Sequence, residues 1–155
     1  MRNIYFAKSD EALLDIDSEA GARLFWNRLP KVKQLIKRIV IEATRPNHYH
    51  VFIKLKNHHQ FVNISALQTY LGSDLKRELA NLSRIIAGAT KPILLIHYSK
   101  VKHWRKPDLV CSCPRKYKGK KLSNCVHLIN YRGHEAKFGY ISTRLNLIGI
   151  ERPFG

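Results

Sequence analysis

The chain has 155 residues, 45% of them hydrophobic, with 28 lysines and arginines against 11 aspartates and glutamates and a formal net charge of +17. That length suits one core with at most a small appended module, and a charge so far from neutral favours a partner dense in phosphate, so nucleic acid is the expected one. No apolar run approaches the ~20 residues that cross a bilayer, and no signal-peptide core follows the N-terminus, so an intracellular protein with no membrane partner is expected.

In chain order, 3–7 and 12–17 read as short extended segments around a polar turn at Lys8-Ser9-Asp10. Ser18 followed by Glu19 is an N-cap signal. Leu24, Phe25, Leu29, Val32, Leu35 and Ile36 then recur at helical spacing, so one or two helices are expected over 18–37, with Pro30 breaking or kinking the run. Ile39 to Ile41, the polar 44–47 stretch and Tyr49 to Leu55 read as a strand, turn and strand hairpin. Leu67, Tyr70, Leu71, Leu79, Leu82, Ile85 and Ile86 fit helix over 65–87, broken at Gly72-Ser73-Asp74, where Ser73 or Asp74 caps the second half. Gly88 ends that helix, and Pro92 to Ile96 reads as a buried strand. The resulting β-α-β-β-α-β order predicts an α+β fold with a ferredoxin-like or RNA-recognition-type sheet and helices on one face. Beyond Lys100 the composition turns to Lys, Arg, Cys and His, which marks a basic extension.

Two motifs carry chemistry. Asp15 and Asp17 lie two apart on an extended segment, so their side chains project to one side. Paired carboxylates resist joint ionisation unless a cation neutralises them, and hard oxygen ligands suit Mg²⁺ or Mn²⁺. The competing reading makes them an edge-strand pair that stabilises the start of the next helix. About thirty residues later, His48-Tyr49-His50 opens the run Val51-Phe52-Ile53, placing His50 where it can hydrogen-bond a triphosphate oxygen. On the following helix Arg77, Asn81 and Arg84 share a face at three- and four-residue intervals. Such arginines can receive phosphate, or the face can be solvated with Glu78 pairing locally.

Leu14-Asp15-Ile16-Asp17 and Asn47-His48-Tyr49-His50-Val51 resemble the apolar-Asp-x-Asp strand and small-x-His hairpin of the archaeo-eukaryotic primase superfamily, including small plasmid and viral primase-polymerases. The resemblance covers roughly 10–100 and implies a metal-dependent nucleotidyltransferase of a mobile element. Its implied setting is the cytoplasm of a host cell. Its implied roles are Asp15 and Asp17 as Mg²⁺ or Mn²⁺ ligands and His50 as a catalytic nucleotide-binding residue beside the phosphate-binding His48. Nucleoside triphosphates and single-stranded DNA or primer–template are the implied partners. The family's third acid, on a later strand, has no counterpart in 92–98. His48-Tyr49-His50 also resembles the His-hydrophobic-His pair of rolling-circle replication initiators, which implies nicking by a tyrosine, here Tyr70 or Tyr140. A non-enzymatic single-strand binding module is the third alternative.

The three cysteines are too few and odd in number for a disulfide framework. Cys111-Ser112-Cys113 and Cys125-Val126-His127, separated by eleven residues, offer a Cys₃His set for structural Zn²⁺, with His103 or His134 as alternatives to His127. Between the pairs, Arg115, Lys116, Lys118, Lys120 and Lys121 with Tyr117 interleaved suit a phosphate-backbone clamp. The expected organisation is a nucleotidyltransferase-like core at 1–100 and a basic Cys/His zinc-binding extension at 101–155, packed on the core.

Overall fold

A computed structural model describes residues 2–45, 48–98, 116–117, 120–121 and 125–130. Strand β1 (Arg2–Phe6) and strand β2 (Glu11–Ile16) flank the expected turn, in which the Glu11 amide donates to the Lys8 carbonyl at 3.0 Å and the Lys8 amide donates to Glu11 Oε1 at 2.9 Å. The two strands do not pair with each other. β2 joins an antiparallel sheet with β3 (Ile36–Arg45) and β4 (His48–Leu55), β4 lying in the middle, while β1 pairs antiparallel with β5 (Leu94–Tyr98).

Helix α1 (Glu19–Val32) starts as the sequence predicts, with Ser18 Oγ accepting the Gly21 amide at 3.0 Å. Pro30 does not break it. Its missing N–H would have bonded the Trp26 carbonyl, a loss confined to the last turn, and the chain tightens into a 3₁₀ turn at Lys33–Leu35 straight afterwards. Phe25 and Trp26 pack on Tyr49 of β4, with ring centroids 6.4 and 5.9 Å away. Since strand side chains alternate, α1 covers the face of β4 opposite to the one carrying His48, His50 and Phe52. On that second face Tyr5 of β1 meets Phe52 edge-on at 6.5 Å.

The expected long helical region is two helices, α2 (Phe61–Tyr70) and α3 (Leu75–Ile86), hinged at the predicted Gly72-Ser73-Asp74. α2 begins four residues earlier than the apolar spacing indicated, and β5 begins two residues later than Pro92. The Pro92 and Ile93 carbonyls instead accept from Arg84 Nε at 2.7 Å and the Ala7 amide at 2.9 Å. The hinge closes the outer edge of β2. Leu13 N–H donates to Gln68 Oε1 at 2.8 Å, Asp15 N–H to Ser73 Oγ at 3.1 Å, and Asp74 N–H to the Asp15 carbonyl at 2.8 Å. An otherwise open strand edge is thereby satisfied, and Ala12, Leu13, Leu14 and Ile16 are all buried.

Gln68 continues into a buried polar network. Its amide donates to both oxygens of Glu78, which also accept from Ser65, Asn81 and Arg77. Farther along, β6 (Lys116–Tyr117) pairs antiparallel with β7 (Lys120–Lys121), and β8 (Cys125–Asn130) runs parallel to β3 as the fourth strand of the β2-β4-β3-β8 sheet. No helix among the described residues is long and apolar enough to cross a membrane.

Candidate active site

The two sequence motifs meet. Asp15 of β2 stands directly across from His50 of β4, and His50 Nε2 lies 3.5 Å from Asp15 Oδ1. The backbone explains the approach. Because the N–H and C=O of Asp15 are both taken by the α2–α3 hinge, Asp15 and His50 form a non-hydrogen-bonded antiparallel pair, the type in which facing side chains come closest. Register extends the row by one strand, since Glu42 of β3 is the residue across from His50 on its other side. Sequence reading missed Glu42. Its only signal was an acid directly after the apolar run Ile39-Val40-Ile41, and it is fully buried.

The two aspartates differ. Asp15 is half-buried and lies one residue before the end of β2, whereas Asp17 lies just past β2 and is exposed. Burial, the largest influence on Asp15, pushes its carboxyl up. The His50 hydrogen bond, with the charges of His50, Arg77 and His48, outweighs burial and holds it below the ordinary aspartate value. Asp17 is raised, by desolvation first and then by the like charges of Asp74 and Asp15. Two acids two residues apart thus shift in opposite directions, one neutralised by cationic neighbours and the other crowded by anions. Asp74 enters this group as the N-cap of α3, its Oδ2 accepting the Arg77 amide at 3.1 Å.

The arginine strip is placed differently from the expectation that it receives phosphate. The Arg77 side chain is buried, donating from Nε and NH2 to the Leu94 carbonyl at 3.1 and 2.8 Å, and from NH1 to Ser73 Oγ at 3.1 Å and Glu78 Oε1 at 2.7 Å. Arg84 bonds the Pro92 carbonyl and Asn81 Oδ1. Acceptors on the α2–α3 turn, on α3 and on the 92–94 segment take these guanidinium donors, so the strip fastens α3 to the start of β5. The local pairing of Glu78 with Arg77 is present, inside the protein.

Tyr70, a candidate nucleophile, ends α2 with the Arg28 guanidinium 4.7 Å from its ring centre and Arg28 NH1 donating to its carbonyl at 2.9 Å. Cys125 and His127 fall two apart on β8, across from Arg38 and Val40. In the basic stretch, Lys116 stands across from Lys121 and Tyr117 from Lys120. Cys111, Cys113, Arg115, Lys118, His103, His134 and Tyr140 lie outside the described residues. Among the described residues no three His, Cys, Asp or Glu side chains converge as a ready-made metal cage. No family model, curated protein or solved structure matches the chain.

Proposed function

We propose that the protein is a minimal primase-like nucleotidyltransferase of a mobile element, joining nucleoside triphosphates on a nucleic-acid template. The observation that carries the reading is the cross-strand Asp15–His50 pair with Asp17 just beyond it. A divalent ion fits this donor set in one specific way. Mg²⁺ is commonly held by one or two carboxylates together with substrate phosphates rather than by an all-protein cage, which agrees with an acidic pair and, among the described residues, no third converging side chain. Asp15 and Asp17 would hold the ion, and the raised Asp17 is the carboxylate whose crowding a cation relieves. When bound, the ion supplies neutralisation of the charge that builds as a 3′ hydroxyl attacks the α-phosphorus and pyrophosphate departs.

The chain's own residues orient and bind. His50, fixed by Asp15, presents its imidazole beside the carboxylates for a triphosphate oxygen, and His48 lies on the same face two residues away. The net charge of +17 favours the template. In this reading the succession from β2 through α1, β3, β4 and the α2–α3 pair to β5 keeps a ferredoxin-like element order, with β5 paired to β1 instead of joining the edge of β2, and Cys111, Cys113, Cys125 and His127 hold a structural zinc in the extension.

A template-dependent incorporation assay with labelled nucleoside triphosphates and Mg²⁺ or Mn²⁺ tests the proposal, run beside the Asp15→Ala, Asp17→Ala double variant and denatured before electrophoresis. Metal-dependent extension that the variant loses is expected; unchanged extension removes the two aspartates from the site. The common face of His48 and His50 favours tyrosine nicking as a second reading, whose product is a protein-linked DNA band. Neither signal would leave a binding module.

A further inference from the structure

We infer that Ser73 is a positioning residue of this site, its hydroxyl clamped by Arg77 so that it fixes the Asp15 peptide and aims the Asp15 carboxylate at His50. The inference rests on the reading of Asp15 and Asp17 as cation ligands and adds the element that shapes them. Ser73 is 3% exposed, so its bonds are made within the protein. Its Oγ lies 3.1 Å from the Asp15 amide and 3.1 Å from Arg77 NH1. A serine oxygen has two lone pairs, and these two donors occupy both.

The backbone on either side is fixed as well. The Ser73 amide donates to the Gln68 carbonyl at 3.1 Å, and the next amide, of Asp74, donates to the Asp15 carbonyl at 2.8 Å. Asp15 is therefore gripped at its N–H by a side chain and at its C=O by a main chain, both from one turn. This arrangement suits a site. A neighbouring strand satisfying the same edge would run on past Asp17 and wall off the end of β2, whereas a turn satisfies two groups and leaves. Arg77 supplies the rigidity, since its other donors are tied to Leu94 and Glu78, and a hydroxyl bonded to a charged group is held more tightly than one bonded to a neutral group.

Binding of Mn²⁺, followed by the loss of the free-ion electron paramagnetic resonance signal, tests the role without requiring turnover. Ser73→Ala removes the acceptor, Ser73→Cys keeps the volume but offers only weak acceptor strength, and Ser65→Ala removes a comparably buried hydroxyl that bonds Glu78 instead of Asp15. Each is measured well below its unfolding temperature, beside the Asp15→Ala, Asp17→Ala protein that defines the site. Both Ser73 variants are expected to bind Mn²⁺ at least tenfold more weakly than the wild type, with Ser65→Ala within twofold of it. Wild-type affinity in folded Ser73→Cys, or an equal loss in Ser65→Ala, overturns the positioning role while the metal reading stands. A wild type that binds no Mn²⁺ overturns both.

Discussion

Replacing Gly72 by alanine tests the hinge on which the site hangs. Gly72 has φ +89°, where an L side chain costs about 1–2 kcal/mol. Gly88 is its internal control, because it has φ +78° and an added Cβ there meets nothing within 4 Å. Gly88→Ala should therefore cost about 1 kcal/mol and lower Tm by roughly 2–4 °C. At Gly72 the same Cβ clashes with the main-chain carbonyl oxygen of Gly21, and with the Gly21 carbonyl carbon at 3.0 Å, in the first turn of α1. Main chain on both sides leaves no flexible side chain to yield, so α1 and the hinge must separate. The combined cost should be about 3 kcal/mol or more, nearer 10 °C in Tm. Reversible urea unfolding of the wild type and both variants, followed by circular dichroism, measures the difference. Because the hinge holds the Asp15 backbone, Gly72→Ala should also weaken Mn²⁺ binding in the fraction that remains folded. A Gly72→Ala protein no less stable than Gly88→Ala would refute the close approach and the placement of Asp15 built on it.

The two aspartates should respond with opposite sign. Asp15, depressed in the folded state, contributes stability that is present above the unfolded value of 3.8 and is lost as pH falls through its lower folded value. Asp17, raised in the folded state, opposes folding when ionised, and that penalty disappears as pH falls through its folded value. At neutral pH and without divalent metal, Asp15→Asn should destabilise by about 1 kcal/mol and Asp17→Asn should stabilise by a few tenths; urea titrations giving the same sign for both would contradict the geometry. Removing Lys116, Lys118, Lys120 and Lys121 together should flatten the salt dependence of single-strand binding by about three units of log–log slope, whereas Arg84→Met should lower stability and leave that slope unchanged, as read by fluorescence anisotropy across a salt series. Purified protein should carry about one zinc per chain by elemental analysis, and metal-free protein would remove the Cys₃His reading.

Much of the site was legible because strand alternation and hairpin turns are local. The spacing of Asp15 and Asp17, the polar turn before His48 and the Gly72-Ser73-Asp74 break each follow from a few adjacent residues. The register that sets Asp15 across from His50 is not local, for it depends on how β2 docks against a hairpin more than thirty residues away. Arg77 and Arg84 show the same limit from the other direction. Helical spacing placed them correctly on one face, but nothing in that spacing shows that the face meets the 92–94 segment leading into β5, whose carbonyls take their donors. Gln68 gave no signal, and Asn81 was placed only on the arginine face, since an amide at a helical position looks solvated until its partners, the Leu13 amide and Glu78, are brought beside it. Pro30 misled because the rule against interior proline is strictest away from the ends, and α1 stops two residues later.

The placement of acids in so basic a chain carries one further step. Of the 11 acids, Asp74 and Asp15 both act on Asp17, Glu42 stands in the same cross-strand row as Asp15, and Glu78 is joined to Asp15 through Arg77 and Ser73. The net charge of +17 would draw a polyanion at long range, whereas Asp17, crowded by Asp74 and Asp15, meets a bare phosphate with like charge. In the proposed enzyme a small divalent cation would reverse that sign at short range and make this point a place for a triphosphate. Long-range attraction and local rejection together give the proposed enzyme a simple order of events: template binding needs no metal, whereas nucleotide binding does. Anisotropy with labelled single-stranded DNA and with a labelled nucleoside triphosphate, each with and without Mn²⁺, separates the two. Nucleotide affinity that ignores the metal would show that the acids are not where the triphosphate sits.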